Sequence, residues 1–189
     1  MQELLNASFE KLKTKNEQAF NEFYSAAETG SCKKGEVLIP VNSICRKLYI
    51  IESGIIKQFR YKEDGSEHIT WFGFEDDLVT AYTSFVTQKP SLEGAEVIED
   101  IKYTAISRDT CYTLAAKYHA METFFREMLE IYYITADERL FFLQALTAKQ
   151  KYSYIQKHHP EFIQRLPQKE LSSFLGITRE TLSRIRKYS

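Results

Sequence analysis

The C-terminal end leaves this chain the fewest options. Residues 166–187 read Leu-Pro-Gln-Lys-Glu-Leu-Ser-Ser-Phe-Leu-Gly-Ile-Thr-Arg-Glu-Thr-Leu-Ser-Arg-Ile-Arg-Lys. Leu171, Phe174 and Leu175 fall on one face of a helix. Pro167 suits the first turn of that helix, where a missing N–H forfeits nothing. Gly176 follows at once, the residue favoured for a helix stop that needs positive φ. Thr178 is a good N-cap, and Thr181 to Lys187 continues as a second helix. On it Leu182 and Ile185 point one way, while Arg179, Glu180, Ser183, Arg184 and Lys187 point elsewhere. Ser172 is small where the two helices would cross. This is the layout of a helix-turn-helix, whose second helix docks by its apolar face and offers the other to a major groove. Arginine can pair with guanine O6 and N7, and glutamate can accept from cytosine N4. An ordinary helical hairpin with a solvated charged face has the same spacing.

Charge favours the first reading. From Thr147 onward nine Lys/Arg face three Asp/Glu, a balance of +6, although the whole chain carries −1. Residues 1–146 therefore carry −7. Basic charge gathered on one segment is the footprint of a phosphate-backbone binder. No apolar run reaches ~18 residues, so no membrane helix is expected. Met1-Gln-Glu-Leu-Leu-Asn lacks the basic and apolar regions of a signal peptide, which makes a cytoplasmic protein the expectation. Cys32, Cys45 and Cys111 are far apart and form no CxxC pair, so neither a zinc site nor a disulfide framework is suggested.

Upstream, Leu5, Phe9, Leu12, Phe20, Phe23 and Tyr24 recur at helical spacing over residues 2–28, with Gly30 as the stop. From Cys32 to Arg108 short β-rich runs alternate with turn residues: Glu36–Ile39, Lys47–Ile51, Ile55–Tyr61, His68–Phe74, Ala95–Glu99 and Lys102–Ile106. Asp64-Gly65 is a hairpin signal. Such texture argues for a sandwich, barrel or jelly roll. Thr110 to Leu146 then has no Gly or Pro. Met121, Phe125, Met128, Tyr132, Thr135, Arg139, Phe142 and Leu146 repeat there in alternating steps of four and three. A second stripe, Phe124, Ile131, Ile134 and Phe141, lies beside the first. One stripe can pack on the β-rich domain while the other meets a partner helix. The expected dimer seam is Met121, Phe125, Met128, Tyr132 and Thr135; burial of the helix within one chain is the alternative. Lys149–His158 is a further helix, broken by His158-His159-Pro160.

In this order the chain resembles the Crp/Fnr superfamily of bacterial transcription regulators. Two blocks carry the resemblance. Lys34-Gly35-Glu36-Val37-Leu38-Ile39-Pro40, Leu48–Lys57 and Asp64-Gly65-Ser66-Glu67 are similar to the opening of a cyclic-nucleotide-binding β-roll. Gly176–Ile185 is similar to the family's recognition helix. The resemblance implies an α+β fold with three parts. These are a double-stranded β-helix, or jelly-roll, domain with N-terminal helices (1–110), a dimerisation helix (111–146) and a helix-turn-helix (147–189). It implies base contacts from Arg179, Glu180 and Arg184, with Ser183 and Lys187 on the same helix, and phosphate contacts from Thr178 and Lys169. Ser189 ends the chain where the family continues into a β-hairpin wing, so weaker DNA binding than in winged relatives is expected.

The effector pattern departs from the family. Ala81 stands where cyclic-nucleotide members carry Glu, and Ser91 or Leu92 where they carry Arg. A buried phosphate without a cation would cost roughly several kcal/mol. Lys89, across Pro90, offers only a point charge. Cyclic AMP is therefore not the expected ligand. Any pocket would be lined by Ile56, Phe72, Thr80, Ala81, Tyr82, Ser91 and Leu92. An iron–sulfur sensor needs four thiolates, and only His68 and His119 lie outside the tail as haem ligands. No cofactor and no metal are expected. A cupin-type enzyme wants several His and a carboxylate on one metal; the β-rich segment has His68 alone, and no catalytic set stands out. The reading is a dimeric, sequence-specific DNA-binding regulator. Its partners would be double-stranded DNA, a second copy, RNA polymerase and an unidentified small-molecule effector. The alternative is a ligand-sensing or protein-interaction module with weakened DNA binding.

Overall fold

Ser53-Gly54 reads as a turn in the sequence, yet it lies inside a single strand, β3 (Lys47–Tyr61), of the computed structural model, which describes residues 2–187. Gly54 has φ +87°, and a Cβ there would stand 2.2 Å from the Asp100 carbonyl oxygen. The glycine is thus a bulge, which lets one long strand bend. Its partner β6 (Gly94–Ser107) joins the two expected runs around Asp100 in the same way. The two pair antiparallel from Lys47↔Ser107 to Phe59↔Gly94, with register shifts between Ile51 and Ile56.

The other strands attach to this pair. β4 (Glu67–Gly73) follows β3 through the Asp64-Gly65 turn, where the Ser66 N–H donates to Asp64 Oδ1 at 2.8 Å. β1 (Glu28–Cys32) and β2 (Val37–Ile39) pair with β6, and β5 (Leu78–Val79) pairs with β3. The sheet order is β1-β6-β3-β4, with β4 at one edge. Gly30 does not stop a helix. It sits in β1, where a Cβ would press the Tyr103 ring at 2.5 Å.

The helical entry is two helices, α1 (Gln2–Lys15) and α2 (Glu17–Ser25), because Asn16 caps the second by accepting from the Ala19 N–H at 3.0 Å. α3 (Tyr82–Thr87) is a short helix inside the β-domain. The segment read as one long helix is likewise divided, into α4 (Arg108–Lys117), capped by Ser107, and α5 (His119–Ala145), with the break at Tyr118. Then come α6 (Ala148–His158), opened by a Thr147/Gln150 capping box, and α7 (Pro160–Arg165). α8 (Gln168–Leu175) and α9 (Arg179–Lys187) complete the described chain. Pro167 stands just before α8 as its N-cap, one position earlier than expected. The expected lack of a wing concerns the chain beyond Lys187, outside the described residues.

Two apolar clusters hold these elements. Phe23, Ile51, Ile56, Ile101, Met121 and Phe124 join the N-terminal helices and the start of α5 to one face of the sheet. Ile55, Ile69 and Phe72 form a second cluster with Phe142, Phe162, Leu171, Phe174 and Leu182. That second cluster is shared between the β-domain and the C-terminal helices. Each fully buried Phe or Leu contributes about 1.5–3 kcal/mol by leaving water.

Candidate nucleic-acid interface and effector cavity

The α8–α9 corner is built as its sequence suggests. Leu171, Phe174 and Leu175 are buried. Gly176 takes φ +66°, its N–H donates to the Ser173 carbonyl, and the Ile177 N–H donates to the Ser172 carbonyl, both at 3.1 Å. These bonds satisfy carbonyls that a helix end leaves open. Thr178 Oγ1 accepts from the Thr181 N–H at 3.1 Å and starts α9. Leu182 is fully buried and Ile185 packs at the edge of the second cluster. Arg179, Glu180, Ser183, Arg184 and Lys187 are exposed, as are Lys169 and Thr178. The Glu180 carboxyl is held below its ordinary value by its own backbone N–H and by the Thr178 hydroxyl, with Arg179 adding. The exposed side of α9 thus carries cations, one carboxylate and a hydroxyl on a helix fixed from behind.

The corner is clamped to the β-domain. Ser173 Oγ accepts from the Ile69 N–H at 3.1 Å and donates to the Glu67 carbonyl at 3.2 Å, so it pairs the free edge of β4. Phe174 lies 5.3 Å from Phe72 and 6.1 Å from Trp71, centre to centre. Lys57 on β3, nearly fully buried, meets Glu67 at 2.6 Å, Glu96 at 3.5 Å and Glu170 of α8 at 3.6 Å. Burial alone would lower its pKa, but the Glu67 hydrogen bond and the three carboxylates outweigh it and hold it raised. Arg165 forks onto both oxygens of Glu75 at 2.8 Å and onto Glu99 at 2.7 Å. That fork holds the Glu75 carboxyl down at about 2.

A cavity of about 560 Å³ lies between the β-domain and α5. Thr80 and Tyr82, two of the expected lining residues, do line it. The others do not. Ile56, Phe72 and Ala81 are buried in the two apolar clusters, the first two turned to the core by β-strand alternation and Ala81 at the start of α3. Ser91 is buried in its own loop, where its hydroxyl donates to the Glu93 carbonyl at 2.7 Å, and Leu92 is exposed to solvent. The polar wall comes instead from Gln58, Thr70 and Glu93, with Trp71 beside them. Glu93 accepts from Thr70 at 2.7 Å and Gln58 at 3.4 Å, and burial raises its pKa. Asp77, also on the wall, is pushed up to about 6 by burial, against the pull of the Phe74 N–H it accepts at 2.9 Å.

The opposite wall is the stripe assigned to the dimer seam. Phe125, Met128, Tyr132 and Thr135 face the cavity, with Tyr132 stacked on Tyr82 at 4.9 Å, and Met121 is fully buried in the first cluster. Phe125 and Met128 pack against the first cluster, whereas Tyr132 stays 53% exposed beside them. The exposed apolar face of α5 is the adjacent one, with Leu129, Tyr133, Ile134, Leu140 and Phe141. Arg139, which interrupts the stripe in the sequence, also lines the cavity. A lone charge at a core position of an amphipathic helix was the signal for it. Gln58 and Thr70 gave none, since alternation alone does not say which polar residue of a bent strand turns inward, and Glu93 lies in the loop before β6.

Among the described residues no three His, Cys, Asp or Glu converge to hold a metal ion, and no helix is long and apolar enough to cross a membrane. Cys45 and Cys111 are buried and Cys32 half-buried, three free thiols where an iron–sulfur cluster takes four. They do not fit an iron–sulfur centre.

Residues 30–118 match the cyclic nucleotide-binding domain. The anaerobic regulatory protein of Haemophilus influenzae is 26% identical over 184 residues, covering 91% of this chain and 71% of that protein. The chain spans about two thirds of the length of the curated relatives it matches. FixK2 of Bradyrhizobium japonicum superposes with a TM-score of 0.70 at 18% identity, over 86% of this chain and 83% of that one. A Eubacterium rectale protein assigned to the crp/fnr family of transcriptional regulators does so at 0.69 and 16%, over 92% and 82%. With a cyclic nucleotide-binding domain, a long helix and a helix-turn-helix in that order, the chain is similar to regulators of the Crp/Fnr family.

Proposed function

We propose that the chain is a sequence-specific, DNA-binding transcription regulator that works as a dimer and does not use cyclic AMP. The observation that carries the reading is the exposed row Arg179, Glu180, Ser183 and Arg184 on α9, a helix anchored from behind by Leu182. Such a row offers bidentate donors and an acceptor to base edges. Thr178, Lys169 and Lys187 flank it as phosphate contacts.

Pairing of two copies along the exposed face of α5, through Leu129, Tyr133, Ile134, Leu140 and Phe141, would set two α9 helices on half-sites about 34 Å apart. An apolar face this long on one helix is costly to leave in water. Within this reading residues 1–110 form the sensing domain, 111–146 the connector and 147–189 the DNA reader. The sensing domain is a double-stranded β-helix, a reading supported by β3 and β6, each bent at mid-length and each pairing different strands at its two ends. Cyclic AMP is disfavoured because the β-side wall of the cavity carries no cation for a phosphate. The cytoplasm, where promoter DNA and RNA polymerase lie, is the place of action that follows.

The test is selection of random duplex DNA by the purified protein, with and without cyclic AMP. A palindromic site recovered without nucleotide is the expected result. Recovery only with nucleotide would overturn the effector reading. No enrichment under either condition would leave a ligand-sensing or protein-interaction module.

A further inference from the structure

Arg139 is held in an unusual way. One terminal nitrogen, Nη2, donates to the carbonyl of Phe174 near the end of α8, and the guanidinium lies over the Phe174 ring at 3.6 Å. The other, Nη1, is closed off from water and meets no acceptor. Among the described residues no carboxylate pairs with this cation, and burial brings its pKa down to about 10. An unmatched charged donor in a dry site is rare in a native fold, because its lost hydration is not replaced. The residue also lines the cavity between α5 and the β-domain.

The rest of that wall narrows what could match it. Arg126 already pairs with Glu130, so Arg139 is the cation left for a ligand. Glu93 is engaged by Thr70 and Gln58, and it would repel a second negative charge. Trp71, Phe125, Met128 and Ile131 supply an apolar surface. A volume of about 560 Å³ falls within the ~300–1,000 Å³ of small-molecule sites. A planar carboxylate suits a guanidinium edge better than a point cation would.

We propose that this cavity binds an apolar monocarboxylate, its carboxylate on Arg139 and its hydrocarbon or aromatic body against Trp71, Phe125 and Met128. The anion's partner thus comes from α5 rather than from the β-domain. It lies one hydrogen bond from α8, since the same guanidinium holds the Phe174 carbonyl. This rests on the cavity being an effector site but not on α9 reading DNA.

Trp71 is the sole tryptophan and lines the cavity, so its fluorescence reports occupancy. The full chain, free of DNA, is titrated with 3-phenylpropionate, 4-phenylbutyrate, octanoate and decanoate, and with the amide of each. At least one acid is expected to change the emission saturably and to bind about tenfold or more tighter than its amide, as a charge-assisted bond requires. Arg139→Gln should make acid and amide equal, and Arg139→Lys should keep part of the preference. If Arg139→Gln does not fold by circular dichroism, the acid–amide comparison in the natural chain still decides. No saturable response to any acid, equal binding of acids and amides, or an acid preference that survives Arg139→Gln would each overturn the proposal. Failure of the DNA selection would leave this result untouched, and failure here would leave the DNA reading in place.

Discussion

Lys57 permits the sharpest test of how the α8–α9 corner is held. Lys57→Met keeps the aliphatic stem and removes the ammonium from three carboxylates at 2.6, 3.5 and 3.6 Å. Breaking a buried ion pair by deleting one partner costs about 3–5 kcal/mol. The Glu67, Glu96 and Glu170 side chains keep 22%, 29% and 13% of their exposure, so water recovers part of that loss. A cost of about 2–3 kcal/mol is expected after that discount. Glu170→Gln, which leaves Lys57 two carboxylates, should cost about 1 kcal/mol, and the double variant should lose less than the sum. Urea unfolding followed by Trp71, which lies against Phe174 at this contact, measures all three. A raised lysine pKa stabilises the fold fully below the unfolded value of about 10.4 and loses that contribution only as pH rises through the folded one. The cost should therefore be the same at pH 7 and pH 9. A loss below about 1 kcal/mol, or strict additivity with Glu170→Gln, would refute the clamp.

Three other perturbations have defined outcomes. Asp77, raised to about 6, stabilises the fold as a neutral acid below about pH 4 and loses that contribution as pH rises through 6. Asp77→Asn keeps an acceptor for the Phe74 N–H and should gain about 2–3 kcal/mol on the natural chain between pH 4 and pH 8; parallel urea midpoints would refute it. Phe141→Glu or Tyr133→Glu should shift the protein to monomer by light scattering, whereas Met128→Glu should lower stability; a dimer that survives Phe141→Glu places the interface elsewhere. Arg184→Ala should cost about 1–3 kcal/mol at the preferred site and relax one base position, while Lys169→Ala should weaken all sequences alike. Equal losses on every sequence for Arg184→Ala would remove it from the base edges.

What the sequence disclosed was local. The corner at Leu171–Leu182 is written in contiguous residues, since a glycine with positive φ, a threonine cap and two apolar stripes need no distant partner to be read. Gly54 shows the limit. A glycine with positive φ serves a turn or a bulge equally well, and only the pairing of β3 with β6 decides. The same holds for α5. Its apolar rows are evident in the sequence, but which row turns inward depends on how the helix docks, and so Phe125, Met128, Tyr132 and Thr135 line the cavity while Met121 is buried in the first cluster. Ile56 and Phe72 were misassigned for a related reason. Alternation separates two faces of a strand without naming the one that encloses a ligand. Arg139 stood out as an interruption of a stripe, although its contact with Phe174, thirty-five positions away, could not be read from spacing.

The apolar cluster shared by β4 and the C-terminal helices limits how this chain can be altered by recombination. Phe72, Phe162 and Phe174 pack within 5.3–5.6 Å of one another, centre to centre. A chain cut after Leu146 would leave Ile55, Phe59, Ile69 and Phe72 without the side chains that cover them. The two ends should therefore melt as one calorimetric unit rather than as independent modules. A foreign C-terminal segment grafted onto this β-domain would need matching aromatic shapes as well as a compatible linker. The exposed row on α9 and the stability of the β-domain are thus inherited together in this chain.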